Sequence, residues 1–124
     1  MKVLITGAAG FIGSQLMEAL AVQHPEWTLI ASDIRPLNAQ AMRPNVEGVL
    51  LDIGKRDAVM AVVAQHKPDA IVHLASVVTP PPGMGEDVLH TIDVEGTRSI
   101  LQAAVENDVR QLIVTSSGAA YGYY

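Results

Sequence analysis

The chain of 124 residues is 49% hydrophobic and 17% charged, enough for one domain with a buried core and too apolar for intrinsic disorder. Its net charge of −5, with no Lys/Arg cluster, offers no footprint for nucleic acid or an anionic membrane surface, and the absence of cysteine removes disulfides, thiolate metal sites and cysteine nucleophiles. No apolar run approaches bilayer-spanning length, and the N-terminus enters a glycine-rich turn too early to be a secretory signal, so the expected location is cytoplasmic.

In chain order, Lys2 to Thr6 reads as a first strand that runs directly into three glycines spaced by three, Gly7, Gly10 and Gly13. Ile12, Leu16 and Leu20 then form one stripe of a helix. A strand, tight turn and helix in this order can cradle a dinucleotide pyrophosphate. Glycine lets the main chain approach without a Cβ in the way, and the helix N-terminus offers unpaired N–H groups and a positive dipole end. Gly7 would make the turn, Gly10 admit the phosphates and Gly13 let the helix pack close to the sheet.

Trp27 to Ser32 reads as a second strand closed by Asp33, twenty residues beyond Gly13. A carboxylate there suits the free ribose hydroxyls of NAD and repels the extra phosphate of NADP, while Arg35 could serve that phosphate instead. NAD is therefore the expected cofactor and NADP the less favoured one; a solvated loop carboxylate or a helix cap is the plainer role for Asp33. Pro36 to Pro44 is irregular, because its prolines oppose a full helix. Val46 to Leu51 forms a third strand ending at Asp52, whose carboxylate can accept an adenine amino proton, cap a helix beginning near Lys55, or do both.

Val59, Val62 and Val63 mark that helix, and Ala70 to Ala75 the fourth strand. His73, inside this strand, has no second ligand at metal-binding spacing, and we read it as a packing residue whose ring holds neighbouring backbone near the cofactor. Thr79 to Gly85 is a Pro- and Gly-rich segment at the sheet's carboxyl edge, either a surface loop or a cover over a ligand. A helix from about Gly85 to Asn107 places Leu89, Ile92, Gly96, Ile100, Ala103 and Ala104 on one face, and Gln111 to Ser116 is the fifth strand. Four of the five runs are too apolar throughout to be half-exposed. The alternation predicts an α/β fold, a Rossmann-type doubly wound parallel sheet of about five strands in the order 3-2-1-4-5, as one dinucleotide-binding domain over 1–124.

Across the whole chain these strings resemble the extended short-chain dehydrogenase/reductases, the NAD-dependent epimerase/dehydratase family. Thr6 to Gly13 matches that family's phosphate turn, Asp33 its ribose position and Asp52-Ile53 its adenine position. His73-Leu74-Ala75-Ser76 resembles its strand-four motif, and Ser116 to Gly122 its strand-five serine motif. The resemblance implies that Gly7, Gly10, Phe11, Ile12 and Gly13 line the pyrophosphate, that Asp33 holds the adenosine ribose, and that Asp52 and Ile53 meet the adenine. It further implies that Leu74, Ala75 and Ser76 flank the cofactor, small Ala75 admitting the nicotinamide-side ribose. Ser117, four residues before Tyr121, falls on the family's catalytic hydroxyl, which hydrogen-bonds a substrate oxygen during hydride transfer; a serine capping a turn is the plainer alternative.

Two departures stand out. Asp93 occupies a position where the family usually has Asn, and a carboxylate cannot donate an amide's hydrogen bonds. The family's Tyr-x-x-x-Lys acid/base pair is absent, since Tyr121, Tyr123 and Tyr124 follow the last lysine, Lys67. The resemblance thus implies the NAD-binding portion of an oxidoreductase, epimerase or dehydratase acting on a sugar nucleotide or related hydroxylated substrate. It lacks the later strands and the substrate domain, as though interrupted after the serine motif, and is expected to be inactive alone. A non-catalytic dinucleotide-binding module or cofactor sensor is the alternative. Without a sixth strand, Gln111 to Thr115 would be an open apolar edge, and self-association through it is expected.

Overall fold

A computed structural model of the chain describes residues 1–37, 43–74 and 95–114. Five parallel strands, β1 (Lys2–Thr6), β2 (Thr28–Asp33), β3 (Val46–Leu50), β4 (Ala70–His73) and β5 (Gln111–Val114), form one sheet in the order β3-β2-β1-β4-β5. Helix α1 (Phe11–Gln23) joins β1 to β2, α2 (Arg56–His66) joins β3 to β4, and α3 (Gly96–Glu106) precedes β5. This is the expected doubly wound α/β sheet.

Both faces of the sheet are covered, and the strands are apolar for that reason. Side chains alternate along each central strand. Val3 and Ile5 of β1, Leu29 and Ala31 of β2 and Val72 of β4 point to one side, where Met17 and Ala21 of α1 pack on them. Leu4, Ile30 and Ile71 point to the other and meet Val59 and Val63 of α2 with Ile100, Ala103 and Ala104 of α3. The two cores share the sheet as their common wall. On the second side, α3 approaches closely through Gly96, where a Cβ would come within 2.7 Å of Ile53 Cδ1.

Element bounds depart from the sequence reading by small amounts with local causes. β2 runs to Asp33, because the Asp33 carbonyl still accepts the Leu51 N–H at 2.9 Å. α2 ends at His66 and is capped by Lys67, which takes a left-handed conformation with φ 47° while its N–H bonds the Val63 carbonyl. The edge strand β5 pairs on its β4 side among the described residues, leaving Ile113 and Val114 46% and 44% exposed, more than its apolar sequence suggests. The segment Thr79 to Gly85, the start of the helix expected from Gly85, and the ends of the fourth and fifth expected strands lie outside the described residues. Among the described residues no helix is long and apolar enough to cross a membrane.

Candidate functional site

The carboxyl ends of β1, β2 and β4 deliver their loops to one edge of the sheet, the edge at which open α/β sheets bind ligands. At its centre lies the turn between β1 and α1. Gly7 has φ 71°, a left-handed conformation that a side chain would strain, and its carbonyl accepts the Gly10 N–H at 3.1 Å. The Ala8 N–H is held by the Ser32 carbonyl at 3.0 Å, which ties the turn to β2. Gly13 is buried one helical turn later. A Cβ there would collide with the Gly7 carbonyl oxygen and come within 2.9 Å of Ala8 Cα, so this glycine lets α1 close onto the turn itself. At Gly10 an added Cβ would lie 3.3 Å from the same carbonyl, a tight fit the chain can absorb.

Helix α1 begins at Gly10 without a side-chain cap and without an acidic residue in its first turn. Its leading N–H groups therefore face the edge with the positive end of the helix dipole behind them. Phe11 and Ile12, the first two helical residues, are exposed there. The arrangement suits an anion approached by backbone, as a dinucleotide pyrophosphate requires.

Asp33 ends β2 beside this turn and is buried. Its Oδ2 accepts the Ala9 N–H at 2.9 Å, and its Oδ1 accepts the Arg35 N–H at 3.0 Å. The exposed Arg35 guanidinium reaches back to 3.6 Å from the same oxygen. A carboxylate offers about four acceptor directions, so two amides leave capacity for ribose hydroxyls. Of the plainer roles open to Asp33, a solvated loop carboxylate is therefore excluded by its burial and two backbone partners.

Asp52 is exposed two residues beyond β3, and its Oδ1 accepts the Gly54 N–H at 2.9 Å in a local turn. It does not cap α2, which starts from Lys55 with no side-chain cap hydrogen bond; the turn, set by the Lys55 N–H to Asp52 carbonyl bond, draws the carboxylate onto Gly54 instead. Ile53 is buried against α3, so that what it can offer an adenine is its backbone. Leu74 lies next to the first glycine turn: its N–H is shared by the Thr6 carbonyl at 3.2 Å and the Thr6 hydroxyl at 3.0 Å.

Two groups of contacts escaped the sequence reading. Thr6 Oγ1 and His73 Nδ1 are 2.7 Å apart, and His73 Nε2 lies 3.2 Å from Thr97 Oγ1. The ring thus fastens the ends of β1 and β4 to the first turn of α3. The other is the Asp33 to Ala9 bond. The first had a signal in the sequence, a threonine immediately before the glycine turn and a histidine at the equivalent end of the neighbouring strand; the second had none. Ala75, Ser76, Ser117 and the three tyrosines lie outside the described residues.

Comparison with known proteins gives this geometry a context. The family model described as "NAD dependent epimerase/dehydratase family" matches residues 3–124. The chain is 29% identical to an L-arabinose 1-dehydrogenase (NAD(P)(+)) of Haloferax volcanii, over 99% of its own length and 43% of that protein's. It is 31% identical to a dTDP-L-rhamnose 4-epimerase of Burkholderia thailandensis, over 98% of its own length and 36% of that protein's. Among solved structures, a uronate dehydrogenase variant from Agrobacterium tumefaciens complexed with NAD matches with a TM-score of 0.81 at 31% identity, covering 99% of this chain and 43% of that one. The chain spans under half the length of each of these relatives.

Proposed function

Because the chain belongs to the NAD-dependent epimerase/dehydratase family, we propose that it is the NAD-binding part of an enzyme that acts by hydride transfer on a sugar nucleotide or related hydroxylated substrate. The observation that carries this reading is the adjacency of two features: a glycine turn opening an uncapped helix, and a buried carboxylate at the end of the next strand, joined by the Ala9 to Asp33 hydrogen bond. The domain spans 1–124, in a cytoplasmic protein.

In this reading Gly7, Gly10 and Gly13 shape the cradle, and the N–H groups of Phe11 and Ile12 hold the pyrophosphate. Asp33 accepts the adenosine ribose hydroxyls, and its charge disfavours a 2′-phosphate, which makes NAD the cofactor over NADP. Asp52 and the Ile53 backbone meet the adenine, while Leu74, Ala75 and Ser76 flank the nicotinamide half. When bound, NAD supplies the hydride acceptor or donor. Ser117 holds the substrate oxygen at which charge changes. The nature of the relatives, a sugar dehydrogenase and a sugar-nucleotide epimerase, supports the substrate class.

No lysine follows Lys67 in this sequence, so a Tyr-x-x-x-Lys pair is not among its 124 residues. A second reading is a non-catalytic dinucleotide-binding module or cofactor sensor, in which the glycine turn and Asp33 serve binding alone. Titration calorimetry with NAD and NADP, beside an absorbance assay for NADH, tests both. We expect NAD to bind more tightly than NADP, with no turnover. No binding of either dinucleotide at millimolar concentration overturns both readings, and turnover by the chain itself overturns the account of the missing pair.

A further inference from the structure

We infer that Asp33 is a positioning residue for the glycine turn in addition to its proposed contact with ribose: it sets the shape of the pyrophosphate cradle before any dinucleotide arrives. This deepens the dinucleotide reading of the same site and rests on it.

Three successive amides fix the turn. The Ala8 N–H goes to the Ser32 carbonyl at 3.0 Å and the Gly10 N–H to the Gly7 carbonyl at 3.1 Å, both backbone partners that no substitution removes. Between them, the Ala9 N–H goes to a side chain 24 residues away, the Asp33 carboxylate, at 2.9 Å. The middle of the turn is thus held by a charge-assisted bond, a stronger class than the neutral bonds on either side. The carboxylate is itself held. It is buried, and its second oxygen is fixed by the Arg35 N–H at 3.0 Å with the Arg35 guanidinium at 3.6 Å.

The arrangement has a directional consequence. With Ala8, Ala9 and Gly10 engaged inside the protein, the amides left to meet an anion are those that open α1, beginning at Phe11. Asp33 thus keeps the Ala9 N–H turned inward and away from the ligand. Choice of cofactor and shape of the cradle are consequently coupled through one carboxylate. Exchanging Asp33 for a neutral residue, the obvious route to NADP use, also loosens the phosphate turn.

Amide hydrogen exchange by NMR on the ligand-free chain reads the positioning role directly, and affinity for an NAD analogue with no hydroxyls on the adenosine ribose separates it from ribose recognition. In the unsubstituted chain the Ala9 amide should be protected. In Asp33→Asn and Asp33→Ser it should exchange at least about tenfold faster, because the charged acceptor is replaced by a neutral amide oxygen or by a hydroxyl on a shorter side chain. Both variants should also bind the hydroxyl-free analogue more weakly than the unsubstituted chain does. Unchanged affinity for that analogue, with NAD affinity reduced, would mean that Asp33 serves the ribose and not the turn, and overturns the inference. So does rapid Ala9 exchange in the folded unsubstituted chain, a result independent of whether either variant folds. A chain that binds no dinucleotide but protects Ala9 through Asp33 would refute the proposed function while leaving the link between these two residues established.

Discussion

Thr6 and His73 meet at 2.7 Å, hydroxyl to ring nitrogen, as register partners at the point where β1 and β4 both reach the carboxyl edge. Thr6 Oγ1 also accepts the Leu74 N–H. The Leu74 N–H donates to Thr6 Oγ1, and the Nε2-protonated tautomer of His73 would extend this into one run, with the Thr6 hydroxyl donating to Nδ1 and Nε2–H donating to Thr97. A histidine in an apolar strand is thereby accommodated by hydroxyl partners on both ring nitrogens.

Replacing His73 with Phe keeps a planar ring, somewhat larger, and removes both ring nitrogens from a buried site. We expect a loss of about 1–3 kcal/mol in folding stability, measured by urea denaturation, because the Thr6 hydroxyl loses its ring partner. Thr97→Val, at the longer and less buried end of the same network, should cost less. Equal costs would show that the ring matters through packing alone.

Gly13→Ala and Gly10→Ala should separate folding from binding. At Gly13 the new methyl meets backbone atoms of Gly7 and Ala8, and overpacking of this kind costs typically about 1–3 kcal/mol. At Gly10 the contact is 3.3 Å, so the melting temperature should fall little. Under the proposed function, NAD affinity measured by calorimetry should fall sharply in Gly10→Ala, since the methyl stands where the phosphates approach.

Lys67 holds a left-handed conformation at the C-terminus of α2, which costs a non-glycine residue roughly 1–2 kcal/mol. Lys67→Gly should therefore raise the melting temperature without altering NAD affinity, despite the extra backbone freedom it gives the unfolded chain. A lowered melting temperature would count against relief of strain as the dominant effect.

We propose that the chain associates with itself along β5, because Ile113 and Val114 are about half exposed on a strand that pairs on one side among the described residues. Size-exclusion chromatography across a concentration series should show association. Ile113→Lys should shift the population toward monomer. A concentration-independent monomer for the unsubstituted chain would rule the proposal out.

The sheet was legible in the sequence because its causes are local. Runs such as Leu29-Ile30-Ala31 are apolar on both parities and so belong between two layers, while the glycines and stripes between runs announce turns and helices. Strand order followed from the alternation of elements and the handedness of crossovers. Asp33 stood out by its spacing from Gly13. What stayed hidden depends on residues distant in sequence. The Thr6 to His73 contact spans 67 positions and the Ala9 to Asp33 bond 24, and no periodicity encodes either. Asp52 illustrates a different obscurity: a carboxylate just ahead of a helix looks like its cap, yet the Gly54 N–H lies closer along the chain and takes it.

The alternation of β1 between two cores has a consequence for chain length. Val3 and Ile5 belong to one layer, Leu4 to the other, and the strand ends one residue before the left-handed Gly7. Inserting or deleting a single residue within β1 would either send the side chains on one side of the change through to the opposite layer or move the turn by one strand step of about 3.3 Å relative to β2. Point substitutions in this strand can be absorbed by repacking, whereas a frame slip of one cannot. The spacing from Val3 to Gly7 is accordingly a fixed length that carries both the layering of the fold and the placement of its phosphate cradle.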